Sequence, residues 1–304
     1  MDGIINVYKE KGYTSHDVVA RLRGILRQKK IGHTGTLDPE AVGVLPVCLG
    51  RATKVCELLT NKSKTYRARV KLGVVTDTQD MTGRILEQNP VDVTEEEIRR
   101  AVSEFTGELW QTPPMYSAVK VNGRRLYELA RQGVEIERKK RKITVFSFEV
   151  TGYLATENEF TVEVTCSKGT YIRTLCHDIG RRLGCGAAMI SLIRTRVDAF
   201  CIEQALTLEE IEKREKSGTL VEAVMPIDRL FLSYPEVIVT ASGIPYLQNG
   251  NAIRRNVCHS RAEIKAGEKV RMYDEEHRFY AVYRYDERSR SFINVKMFYQ
   301  GGSL

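Results

Sequence analysis

Residues 31–47, from Ile31 to Val47, read IGHTGTLDPEAVGVLPV. Gly32, Gly35 and Gly43 permit backbone conformations that other residues resist, and Pro39 and Pro46 stiffen the chain between them. Two side chains in this stretch commonly do chemistry, His33 and Asp38. Pro39 biases Asp38 away from helix, so a shaped loop presenting one carboxylate is expected. The alternative is a surface connection with Asp38 in an Asx-turn, and spacing alone favours that alternative.

Upstream, Ile4 to Tyr8 reads as a short buried strand, followed by a polar turn from Lys9 to Ser15. Thr14 or Ser15 can cap a helix in which Val18, Val19, Leu22, Ile25 and Leu26 recur at helical spacing, ending near Gln28. Downstream, Ala52 to Leu59 suits a second, shorter helix. From Lys64 to Leu72, Tyr66, Ala68, Val70 and Leu72 alternate with mostly charged residues, the pattern of a half-buried strand with Tyr66 facing the core or a cleft. Asp77 and Asp80 fall in a polar loop, read as a structural turn because no phosphate-cradling GxxxxGK accompanies them. Thr94 and Glu97 form a capping box, and Asn122-Gly123 is a turn signal before a short helix containing Leu126, Leu129 and Ala130.

A second informative stretch runs from Cys166 to Leu175. A strand is expected to stop at Gly169 and Thr170 to cap a helix, with Ile172, Leu175, Cys176, Ile179 and Leu183 on its apolar face. Tyr171 and Arg173 then sit in the first turn, where an arginine opposes the helix dipole and calls for a carboxylate or phosphate partner. A strand returns from Met189 to Val197, a charged helix covers 207–216, and from about 230 short apolar runs punctuated by Pro235, Gly243, Pro245, Gly250 and Gly267 suggest a small all-β unit of about 70 residues.

The totals exclude several classes. No apolar run reaches the roughly 18 residues that a membrane helix needs. No basic segment precedes an apolar one at the N-terminus, so no signal peptide and a cytoplasmic location are expected. Seven scattered cysteines without a CxxC pair and five dispersed histidines argue for reduced thiols and against a metal centre. The net charge of +8 is clustered: Arg21, Arg23, Arg27, Lys29 and Lys30 precede the opening loop, Arg138 to Lys142 form an unbroken run, and Arg181 and Arg182 add a pair. Such clusters suit a nucleic-acid surface and equally a solvated face.

Gly32-His33-Thr34-Gly35-Thr36-Leu37-Asp38-Pro39, with Ala41, Gly43-Val44-Leu45-Pro46 and Gly50, resembles the signature of the TruB family of tRNA pseudouridine synthases. Lys9, Gly12, Thr14, Ser15, Lys64, Tyr66, the run from Pro113 to Lys120 and Lys168-Gly169-Thr170-Tyr171-Ile172-Arg173 extend the resemblance from about residue 4 to 197. Glu10 departs from it, standing where the family usually has proline. The resemblance implies an α+β fold: a pseudouridine synthase catalytic domain over 1–230, with a mixed, mainly antiparallel sheet flanked by helices. A small C-terminal β-barrel, a PUA-like RNA-binding domain, would occupy 231–304.

It also implies the reaction, isomerisation of uridine 55 in the tRNA T loop to pseudouridine. The uridine must be flipped out, its N1 glycosidic bond broken, and C5 joined to C1′. Asp38 is implied as the catalytic carboxylate, either adding to C1′ or removing the C2′ proton. Arg173 is implied as its partner, and Tyr66 as the ring that stacks on uracil and takes the C5 proton. Tyr171 and Leu192 match substrate-contacting positions, and His33 the residue that fills the gap left by the flipped base. No cofactor, metal or protein partner is implied, and the chain is expected to act on tRNA as a monomer.

Three rivals are weighed against this. An inactive RNA-binding copy should have lost Asp38, Tyr66 or Arg173, and all are present; a tRNA-folding chaperone role beside catalysis is compatible with them. The related guide-RNA-dependent synthases carry a longer basic tail. The phosphorylated loop of ATP-driven pumps places its aspartate before Thr-Gly-Thr, whereas His33 holds that region here.

Overall fold

A computed structural model describes residues 1–121 and 123–299. Asn122, half of the expected Asn122-Gly123 turn, and residues 300–304, the end of the expected C-terminal unit, lie outside the described residues. In chain order the first strands are β1 (Gly3–Lys9), β2 (Ile31–His33), β3 (Val42–Leu49), β4 (Lys64–Leu72), the pair β5 (Val74–Thr76) and β6 (Ile85–Gln88), and β7 (Gly107–Gln111). There follow the pair β8 (Lys120–Val121) and β9 (Arg124–Arg125), then β10 (Arg141–Leu154), β11 (Glu159–Cys166), β12 (Ala187–Val197), β13 (Phe200–Cys201) and β14 (Val224–Met225). Helices α1 (Ser15–Ile25), α2 (Cys56–Thr60), α3 (Glu95–Ser103), α4 (Leu126–Ala130), α5 (Ile172–Leu183) and α6 (Leu208–Ser217) lie between them.

Ten of these strands form one sheet, ordered β14-β1-β3-β12-β4-β11-β10-β7, with β2 on β3 and β13 on β12. Its pairs are antiparallel except β3 with β12, so the sheet is mixed and mainly antiparallel, as expected. Alternation decides which face is buried. On β4, Tyr66, Ala68, Val70 and Leu72 point inward while Arg67 and Arg69 are exposed. That inner face packs on Ile98, Ala101 and Val102 of α3 and on Ile172, Leu175, Cys176 and Ile179 of α5. Ile5 and Val7 of β1 pack with Leu45 and Val47 on Val18, Val19 and Leu22 of α1 and Leu208 and Ile211 of α6. Burying a side chain such as Leu22 contributes roughly 1.5–3 kcal/mol.

The caps explain where helices begin. Thr14 accepts from the Asp17 amide at 3.1 Å and its own amide donates to Asp17 Oδ2 at 2.8 Å, a capping box. Thr94 with Glu97 and Thr207 with Glu210 repeat the arrangement. Several expectations are corrected. Helix α1 stops at Ile25, short of Gln28, and Arg27 adopts φ 49°. The second helix divides into a tight 3₁₀ segment, Gly50–Val55, and α2. The strand expected to reach Gly169 ends at Cys166. Thr170 does not cap α5, because its hydroxyl donates to the Ser167 carbonyl at 2.9 Å; Tyr171 occupies the cap position outside the first turn, with no side-chain cap.

The C-terminal part holds β15 (Glu236–Val239), α7 (Ile244–Gln248), β16 (Ile253–Arg254), β17 (Cys258–His259), β18 (Lys269–Asp274), β19 (Phe279–Asp286) and β20 (Ser291–Met297). Its six strands form a barrel-like sheet ordered β16-β20-β19-β18-β15-β17. The unit is not purely β, because Pro245 in its first turn suits α7 to start there. Val282 and Phe298 pack on Ile4, Val44, Cys48, Ala52, Val55 and Phe231, on the side of β1 and β3 away from α1. Lys54 Nζ donates to the Met297 carbonyl at 2.7 Å across the same contact.

Candidate active site

The loop from Thr34 to Ala41 joins β2 to β3 and is tied down along its length. Thr34 Oγ1 donates to the Pro46 carbonyl at 3.1 Å. The Leu37 amide donates to Ser15 Oγ at 3.0 Å, so Ser15 serves the loop while Thr14 caps the helix. The Pro39 carbonyl accepts from the Gly12 amide at 3.0 Å and from Lys9 Nζ at 3.0 Å. Lys9 Nζ also donates to the carbonyls of Tyr13, at 2.6 Å, and Glu10, at 3.1 Å. Glu10 thus contributes a backbone carbonyl oxygen, an atom that proline also has.

The Asp38 carboxylate is half exposed and lies 2.9 Å from Arg173 Nη2. No Asx-turn bond to it is seen among the described residues. Arg173 is buried, and its remaining bonds fix the fork: Nη1 donates to the Thr78 carbonyl at 3.0 Å and Nη2 to the Tyr116 carbonyl at 2.9 Å. Nη1 also lies 3.6 Å from Asp80 Oδ2. The loop read as a structural turn is one, since Asp80 accepts from Thr78 Oγ1 at 2.8 Å and the Thr82 amide at 3.0 Å. It is also the second carboxylate beside Arg173.

Asp38, Tyr66, Tyr171, Arg173 and Leu192 line one cleft of about 300 Å³, together with Lys64, Ser117 and Arg194. Tyr66 reaches it from β4 and Leu192 from β12, which pair antiparallel. Tyr171 is set by Gln111, which accepts from its amide at 2.8 Å and donates to its carbonyl at 2.9 Å. Burial pushes the Tyr66 phenol above its usual range and the nearby Arg194 charge works against that rise; burial raises Tyr171 as well. His33 does not line the cleft. It ends β2, half buried, with its ring edge-on to His16 at 5.1 Å. The Gly35 amide donates to His33 Nδ1 at 3.3 Å, and burial followed by the nearness of His16 lowers its basicity, so a neutral ring protonated on Nε2 fits.

Sequence reading missed a group of buried cations. Lys9, Lys64 and Arg194 are all buried, and their hydrogen bonds go to backbone carbonyls. Burial lowers Lys9 to about 8 despite Asp38 and Glu40. Burial, then Arg194, lowers Lys64 to about 8. The signal was present: Lys64 and Arg194 each sit two residues from an inward-facing one, Tyr66 and Leu192, at positions where alternation puts side chains inside. The expected basic surface is partly neutralised, since Arg182 makes two bonds to Glu104 at 2.6 and 2.8 Å and Lys142 pairs with Glu108 at 2.9 Å.

The cleft therefore joins one fixed carboxylate, two phenols, apolar walls and surplus positive charge. That set can act on an electrophilic carbon while holding a planar anionic group. Among the described residues, no three or more His, Cys, Asp or Glu come together as a metal site.

The model of the TruB family pseudouridylate synthase N-terminal domain matches residues 23–172, and that of the tRNA pseudouridylate synthase B C-terminal domain matches 173–232. The chain is 52% identical to the tRNA pseudouridine synthase B of Lachnoclostridium phytofermentans over 98% of its length and all of that protein. It is 42% identical to the Bacillus subtilis protein of the same name, over 93% of each. Among solved structures, a Cbf5-Nop10-Gar1 complex contains a chain similar to this one with TM-score 0.71 and 30% identity, over 98% of this chain and 85% of that one.

Proposed function

The chain belongs to the TruB family of tRNA pseudouridine synthases, and from that premise we propose that it converts uridine 55 of the tRNA T loop to pseudouridine. The observation that carries this reading is the Asp38 carboxylate held 2.9 Å from the buried Arg173 at a cleft that also presents Tyr66. The flipped uridine enters this cleft. Asp38, oriented by Arg173, acts on the ribose as a nucleophile at C1′ or as a base at C2′. Uracil stacks on Tyr66, turns between Tyr171 and Leu192, and re-bonds through C5, whose proton passes to Tyr66. His33 stands outside the cleft and stacks in the gap left by the base. Residues 1–230 form the catalytic domain and 231–304 a PUA-like domain that grips RNA. The protein works as a cytoplasmic monomer without cofactor or protein partner.

Tritium release from tRNA transcribed with [5-³H]uridine tests the reading. The wild-type protein should release label from position 55, and a transcript carrying cytidine there should lose that release. Asp38→Asn should show none above background. Release by Asp38→Asn at the wild-type rate would overturn the role of Asp38, and undiminished release from the cytidine transcript would overturn the choice of uridine.

A further inference from the structure

Arg194 is 1% exposed, the largest side chain among those fully buried. A guanidinium carries five donors and a charge that it never loses, and burying it is costly unless something uses that charge. Here Nε donates to the Val44 carbonyl at 2.7 Å. Nη1 and Nη2 approach the carbonyls of Thr36, at 3.5 Å, and Gly35, at 3.4 Å. These partners lie on both sides of Asp38, two and three residues before it and six after. No carboxylate pairs with Arg194 among the described residues. Its Cα lies opposite that of Tyr66 in the β12–β4 register, and both side chains line the cleft.

We propose that Arg194 is a positioning residue for the isomerisation: it clasps the Asp38 loop from beneath and lends its unpaired charge to the Tyr66 oxygen. This rests on the reading that Tyr66 takes the C5 proton. In that step the C5–H bond breaks, its electron pair restores the C5=C6 double bond while the C6=N1 pair returns to N1, which takes a proton from water, and the C5 proton joins a phenolate formed beforehand by loss of its proton to water. A phenolate in a buried cleft needs a cation close by. The other groups around Tyr66 divide by sign. Asp38 on the loop and the Cys166 thiol on β11 oppose its ionisation, and Arg194 favours it. Arg173 cannot serve, being committed to Asp38, Asp80 and two carbonyls.

The test places 3,5-difluorotyrosine at position 66 and follows its ionisation by ¹⁹F NMR in the full-length protein, with Arg194 intact and in Arg194→Gln. The amide keeps a donor for the Val44 carbonyl and removes the charge. The fluorophenol should ionise about one pH unit higher in Arg194→Gln. Single-turnover tritium release by the same substitution in the ordinary protein should fall about 100-fold, with tRNA affinity within about threefold. Arg194→Lys, which keeps a charge without the planar fork, should also lose turnover because it cannot hold two loop carbonyls and the Val44 carbonyl of β3 together. Unchanged ionisation in Arg194→Gln overturns the proposal, whatever the rates. If only Arg194→Lys folds, a release rate within threefold of wild type overturns it and a larger loss upholds the clasp. Tyr66→Phe is measured alongside. Wild-type release by Tyr66→Phe sinks the reading of Tyr66 as the base, whereas abolished release with wild-type behaviour in the Arg194 variants sinks Arg194 alone.

Discussion

Arg173 spans two carboxylates and two carbonyls with one planar group, and a lysine cannot copy that reach. Arg173→Lys should lower turnover about 100-fold while tRNA affinity changes by less than about threefold, since the fork is taken up by Asp38, Asp80 and two carbonyls. Filter binding and single-turnover rates measured together check this; lost affinity with normal turnover of bound tRNA would make Arg173 a phosphate contact. The arginine announced itself in sequence, because a cation at a helix start demands a partner. Asp80 did not. Its own loop satisfies it so well that local chemistry reads only as a turn, and its second use depends on a helix more than 90 residues away in the chain. Arg194 and Lys64 were legible in principle as charges on the inward beat of a strand. Lys9 was not, since its site joins the Glu10 and Tyr13 carbonyls of its own turn to the Pro39 carbonyl of a distant loop.

The parallel pairing of β3 with β12 is the element on which the loop depends. Gly43 adopts φ +104°, and a Cβ there would stand 2.3 Å from the Arg194 carbonyl oxygen. Gly43→Ala should cost about 2 kcal/mol or more, read as a lower denaturation midpoint, and should reduce turnover as the strand beneath the loop shifts. Gly24 is the contrast: it lies exposed in α1 with nothing within 4 Å of an added Cβ. Gly24→Ala should stabilise by about 0.5–1 kcal/mol without changing turnover. Helix starts were readable because capping boxes are local, three residues long and chemically explicit. The parallel contact was not, because Gly43 and Arg194 meet only after the strands between them have found their order. The start of α5 misled for a related reason: Thr170 had a nearer acceptor in Ser167.

At the scale of the whole molecule, buried titrating groups set the response to pH. Burial lowers His33 and His177, so the unfolded chain binds more protons below about pH 6.5 and stability falls as acid is added. Lys9 and Lys64 ionise near 8 when folded and near 10.5 when unfolded, so they add stability as pH rises through that interval. Burial holds Cys166 up to about 11 and Cys176 and Cys258 up to about 12, against 9.0 for a free thiol. The folded chain therefore keeps protons that the unfolded chain sheds, and stability falls above about pH 9. Urea midpoints in reducing buffer should be highest near about pH 8–9 and lower at both pH 6 and pH 10; a midpoint still climbing at pH 10 would contradict the assignment of the thiols. The change of texture near residue 230 was visible in sequence. The contact of Val282 and Phe298 with β1 and β3 was not, because no periodicity encodes which face of one sheet another will cover. That contact has a consequence for the order of synthesis. The segment carrying Asp38 leaves the ribosome before β19 and the residues after β20, so the outer side of its supporting strands is not fully covered until they emerge. Until those segments have emerged, the nascent half that carries Asp38 remains unfinished and sticky amid abundant RNA.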